Sequence, residues 1–132
     1  MGASPCDATT DEPPLRETRV VTKSPAEVAE GYFACMRNGD AGVAELFHED
    51  ARLVGLGTIV SGRPAIAEFY GQAIRNASPA PRPVAPLAVE GNRVLAEVYI
   101  DLANGITMHV IDLFEIDGEL IRSLTYFVSD HP

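Results

Sequence analysis

Residues 93–115 read RVLAEVYIDLANGITMHVIDLFE, and this stretch decides the fold. Apolar residues alternate on both sides of Asn104-Gly105, a dipeptide suited to a tight reversal, so the stretch predicts two antiparallel strands. One side of the first strand carries Val94, Ala96, Val98, Ile100 and Leu102; the other carries Leu95, Glu97, Tyr99 and Asp101. With the turn centred on Ala103-Asn104-Gly105, Met108 opposes Ile100, Val110 opposes Val98 and Asp112 opposes Ala96. The product is an apolar sheet face with one carboxyl in its middle.

That carboxyl is the informative group. A lone ionised carboxylate in apolar surroundings is costly, so Asp112 is paired, hydrogen-bonded or protonated. Three readings stay open: a structural acid satisfied by backbone or an arginine, an acid at the sheet margin in water, or a neutral acid donating a hydrogen bond into a cavity.

Outward from this hairpin, strand-like runs cover residues 84–90 and 119–128, set off by the turn dipeptides Gly91-Asn92 and Asp117-Gly118. Short connections predict an antiparallel meander. Upstream the pattern is helical. Ser24-Pro25-Ala26-Glu27 supplies a cap, a proline at the first helical position and a capping box. Val28, Tyr32, Cys35 and Met36 then recur at helical spacing until Asn38-Gly39. Asp40 is suited to cap a second short helix that turns Val43, Leu46 and Phe47 inward. Residues 51–60 read as extended, with Gly55 and Gly57 marking a bulge or a close backbone approach. A third helix starts near Arg63-Pro64 with Ile66, Phe69, Tyr70 and Ile74 on one face, and residues 78–83 read as a stiff loop. Helices followed by a meander define an α+β fold, with helices on one face of a curved sheet. The expected organisation is a flexible arm over residues 1–23, where Thr18–Thr22 is able to add a strand, and one domain over residues 24–132.

Composition agrees. The chain has 132 residues, 46% of them hydrophobic, which suits one globular domain. The formal net charge is −9, and no basic stripe is available to replace phosphate counterions, so nucleic acid and anionic membrane surfaces are disfavoured as partners. The single lysine is Lys23, which argues against Schiff-base and P-loop chemistry. No apolar run is long enough to cross a bilayer and the N-terminus lacks a secretory pattern. Cys6 and Cys35 read as free thiols, and with them the expected compartment is the cytoplasm. His48-Glu49-Asp50 reads as a solvated helix end rather than a metal site, since successive side chains rarely converge. His109 falls opposite Tyr99 on the outer sheet face, where a dimer contact is expected. No nucleophile-elbow, dinucleotide or zincin motif occurs, and no metal or cofactor is implied.

Tyr32 is the natural companion of Asp112, because it lies on the helix stripe that covers the same sheet face. It is also explained as a core tyrosine whose hydroxyl reaches water.

The chain resembles the ketosteroid-isomerase branch of the SnoaL-like, nuclear-transport-factor-2-like superfamily over residues 25–129. The resemblance rests on residues 29–40 (AEGYFACMRNGD), 46–51 (LFHEDA), 61–70 (SGRPAIAEFY) and 110–114 (VIDLF). It implies a conical α+β barrel: three N-terminal helices packed on a strongly curved antiparallel sheet, around an apolar cavity, with homodimers through the outer sheet face. It further implies that Tyr32 and a protonated Asp112 form an oxyanion hole, with Tyr70 supporting the tyrosine. The implied ligand is a small apolar carbonyl compound, steroid-, terpenoid- or polyketide-like. The implied lining comprises Met36, Leu56, Phe69, Val98, Met108, Val110, Phe114, Ser123, Thr125 and Phe127. One departure stands out. The family's base aspartate falls near Gly55, where the segment Arg52-Leu53-Val54-Gly55-Leu56-Gly57 holds no carboxylate, and His48, Glu49 and Glu68 lie elsewhere. The expected activity is isomerase, cyclase or dehydratase; the alternative is a non-catalytic ligand-binding or dimerisation module. Asp101 and Arg93 loosely resemble the acid and arginine of the superfamily's epoxide-hydrolase branch, but strand parity puts Asp101 outside.

Overall fold

The computed structural model describes residues 23–55 and 57–129. Cys6, the possible strand at Thr18–Thr22, Leu56 and His131 lie outside them. Helix α1 (Pro25–Arg37) begins as its sequence requires: the Ser24 hydroxyl accepts from the Glu27 amide, and the Glu27 carboxylate accepts from the Ser24 amide at 2.9 Å. The helix ends where Gly39 takes a positive φ of 65°. The Asp40 side chain then accepts from the Gly42 amide at 2.8 Å and starts a short 3-10 helix, Ala41–Leu46.

Strands β1 (Phe47–Gly55) and β2 (Thr58–Ser61) form a hairpin, so His48, Glu49 and Asp50 lie in a strand rather than at a helix end. Helix α2 spans Arg63–Ala77. Next come β3 (Ala80–Pro83), β4 (Ala88–Glu90), β5 (Arg93–Asp101), β6 (Thr107–Asp117) and β7 (Leu120–Val128). Seven strands make one sheet in the order β2-β1-β7-β6-β5-β3, with β4 also pairing β5. The segment read as a stiff loop is thus partly an edge strand, a place where prolines such as Pro81 and Pro83 are tolerated.

The β5–β6 register is the one the sequence dictates: Ile100 faces Met108, Val98 faces Val110 and Ala96 faces Asp112. The sheet is not purely antiparallel, because β1 runs parallel to β7. Short connections determine the direction of sequence neighbours only, and this pairing joins strands far apart in the chain.

Helices and sheet share a single core. α1 contributes Val28, Ala29, Tyr32, Phe33, Cys35 and Met36; α2 contributes Ile66 and Tyr70; β5 and β6 contribute Val94, Val98, Val110 and Phe114. Each fully buried Val, Ile or Phe contributes about 1.5–3 kcal/mol relative to exposure. Cys35 is disulfide-bonded, which corrects the expectation of a free thiol and removes the thiol argument for a reducing compartment. Among the described residues no helix is long and apolar enough to cross a membrane.

The last strand holds the main correction. Ser123, Thr125 and Phe127 share one face, but it is the outer one, and Phe127 is 53% exposed. Opposite β6, the pairing jumps from Glu115–Ser123 to Ile116–Ile121. Arg122 is therefore an extra residue that reverses the alternation. Ile121 faces the core before this bulge, and Leu124 and Tyr126 face it afterwards.

Candidate functional site

A cavity of about 230 Å³ opens between α1, α2 and the inner sheet face. Tyr32 and Met36 line it from α1, and Phe69, Tyr70, Ala73 and Ala77 from α2. Pro79, Pro81, Ile100 and Leu102 close one side; Met108, Val110 and Asp112 come from β6, and Tyr126 from β7. Of the expected lining, Val98 and Phe114 are core residues behind the cavity wall, while Ser123, Thr125 and Phe127 point away from it. Leu56 lies outside the described residues.

Tyr126 is the functional candidate that strand parity missed. Its hydroxyl lies 2.7 Å from that of Tyr32 and 2.5 Å from that of Tyr70, and the Tyr32 and Tyr70 hydroxyls are 3.0 Å apart. In this triangle each hydroxyl can donate once and accept once, so three buried groups satisfy one another. The Tyr32 ring is held edge-on by Phe33 and Phe114, each with its centroid 5.3 Å away, which directs its hydroxyl. Burial raises all three tyrosine pKa values, so the hydroxyls keep their protons.

Asp112 sits on β6 between Ala96 and Tyr126 and is 1% exposed. Its Oδ1 has no hydrogen-bond partner among the described residues. Burial alone pushes its pKa up to about 8, so the carboxyl is largely neutral at pH 7. Of the three open readings, the acid at the sheet margin in water does not describe this residue, and neither backbone nor arginine satisfies its Oδ1 among the described residues.

Gly55, close to where the resemblance leads us to expect a base aspartate, has φ of 128°, and a Cβ there would lie 2.7 Å from the Tyr126 carbonyl oxygen. The glycine is a close approach of β1 to β7, not a vacant place for a carboxylate. The other acids and bases considered stand away from the cavity. His48 lies 3.4 Å from the Asp117 carboxylate, and Glu49 and Glu68 are exposed. Asp101 is held by Arg82 at 2.6 Å and by Thr107 at 2.8 Å, and Arg93 lies beside Glu115. His109 stacks on Tyr99 with ring centroids 4.6 Å apart and reaches Glu97 at 2.8 Å, on the outer face. Among the described residues no three His, Cys, Asp or Glu side chains are grouped to hold a metal ion.

The SnoaL-like domain model matches residues 29–124, and the chain belongs to this family. None of the curated proteins matches it. Several solved structures share the fold. An NTF2-like protein of unknown function from Cytophaga hutchinsonii is 14% identical with a TM-score of 0.73, over 89% of this chain and 97% of that one. A putative polyketide cyclase from Sinorhizobium meliloti is 22% identical with a TM-score of 0.67, over 76% and 93% of the two chains. A hypothetical protein of ketosteroid-isomerase-like fold from Catenulispora acidiphila, in complex with trimethylamine, is 18% identical with a TM-score of 0.70, over 82% and 88%. At these identities the likeness is one of fold.

Proposed function

We infer that this protein is a small-molecule enzyme of the isomerase, cyclase or dehydratase type, which polarises a ligand carbonyl with Asp112 and the tyrosine cluster. The observation that carries the reading is the unpartnered, buried Oδ1 of Asp112 beside three linked hydroxyls in an apolar cavity. A neutral carboxyl there donates a hydrogen bond in surroundings where water does not compete. Tyr32 adds a second donor. When its proton turns to the ligand, Tyr70 and Tyr126 still donate within the cluster, so charge growing on the ligand oxygen is shared along a chain of donors.

Size narrows the ligand. A cavity of roughly 150 Å³ holds one benzene ring, so about 230 Å³ takes one or two rings. A four-ring steroid would project outside, and a compact polyketide- or terpenoid-like ketone suits the space better. With no second carboxyl in the lining among the described residues, reactions in which solvent or the ligand itself accepts the proton suit the site.

Binding of 2-naphthol, a bicyclic enolate mimic, tests this. Loss of one hydrogen bond to a developing charge corresponds to about 1.5–3 kcal/mol, so Asp112→Ala should weaken binding by about 10- to 150-fold. Equal binding by both proteins would end the reading.

The alternative, a non-catalytic ligand-binding or dimerisation module, is favoured by the lack of any second carboxyl in the lining among the described residues. Exchange of the α-protons of 2-tetralone in D2O separates the two, since a mere binder leaves the uncatalysed rate unchanged. We also propose a homodimer through the outer sheet face. There Leu95, Ile111, Leu113 and Phe127 adjoin in register, with Leu95 43% and Phe127 53% exposed. Sedimentation of Phe127→Glu against the parent protein tests that contact.

A further inference from the structure

We propose that the same cavity takes a compact quaternary ammonium ligand, held by the Asp112 carboxylate and the surrounding aromatic side chains. This goes beyond carbonyl polarisation and uses the opposite charge state of Asp112.

The argument starts from what faces Asp112. From α1, α2 and β7 the titratable groups are Tyr32, Tyr70 and Tyr126, and the β5 partner is Ala96. Among the described residues no lysine, arginine or histidine lines the cavity. A buried acid lacking a countercharge is neutral only because nothing repays the desolvation of its anion. A ligand that brings its own positive charge removes that penalty, and linkage then works both ways: the cation draws the proton off Asp112, and ionisation tightens the cation.

The walls select the kind of cation. Phe69 and the three tyrosines supply aromatic rings, to which alkylammonium groups are attracted. A primary ammonium needs three acceptors, but the tyrosine oxygens are already engaged with one another. A quaternary ammonium has no N–H to leave unsatisfied, and its methyl groups suit apolar neighbours such as Met36, Met108 and Val110. The volume, about 230 Å³, admits a trimethylammonium group with a short substituent.

The test compares choline with its neutral isostere, 3,3-dimethylbutan-1-ol, by calorimetry on the full chain. Choline should bind the parent protein more tightly than the isostere. Its affinity should rise about tenfold from pH 7 to pH 9, as the ionised fraction of Asp112 rises from about one-tenth to about nine-tenths. The isostere should not gain affinity over this range. Asp112→Asn should lose choline binding, keep the isostere and show no pH dependence. The proposal is overturned if choline binds no better than the isostere, or binds Asp112→Asn as well as the parent. Its fate is separable from that of the carbonyl reading: 2-naphthol binding with no choline binding sinks the ammonium site alone, and the reverse sinks the carbonyl reading alone.

Discussion

Replacing Asp112 with asparagine should make the protein's stability respond differently to pH. The folded chain holds the Asp112 proton up to about pH 8, whereas the unfolded chain releases it near the usual value of 3.8. Below 3.8 both states are neutral and the residue contributes no pH dependence. Between the two values the unfolded chain binds fewer protons, so rising pH favours unfolding; above 8 the effect levels off. At about 1.4 kcal/mol per pH unit, Asp112 costs the fold about 5 kcal/mol by pH 8. Asparagine keeps the shape and cannot ionise. Urea unfolding of both proteins at pH 5, 6, 7 and 8 cancels the contributions of the other carboxylates, because they are common to both. The stability difference should move toward Asp112→Asn by about 4 kcal/mol from pH 5 to pH 8. A difference that stays constant over this range would refute the buried, unpaired acid.

Tyr126→Phe removes two contacts of the hydroxyl triangle and leaves Tyr32 and Tyr70 at 3.0 Å; denaturant unfolding should show a loss of about 1–3 kcal/mol. Its sequence neighbour gives the opposite result, since Phe127→Ser at the outer face should change stability at monomeric concentrations by less than about 0.5 kcal/mol. Gly55→Asp should not create an isomerase. Its Cβ would meet the Tyr126 backbone at a φ of 128°, and a melting curve should show destabilisation of about 1–3 kcal/mol or more. Ser24→Ala removes the cap of α1 and should cost about 1 kcal/mol in the same assay.

Local chemistry and simple periodicity were legible in the residues alone. Ser24, Pro25 and Glu27 start α1 because the cap is complete within four residues. Asn104-Gly105 and the alternation around it determine the β5–β6 register, and so place Asp112 among apolar residues. The family-bearing segments point to Tyr32, Tyr70 and Asp112 as one group. Tertiary structure decided the rest, where residues distant in the chain meet. The parallel β1–β7 pairing has no local signal, and neither does the extra residue at Arg122, which turns Tyr126 inward and Thr125 and Phe127 outward. An unbroken alternation is a safe guide only within an unbroken ladder; one inserted residue reverses every side chain beyond it. Gly55 follows the same logic. Its sequence shows a missing carboxylate, but only the approach of Tyr126 shows that the space is already filled.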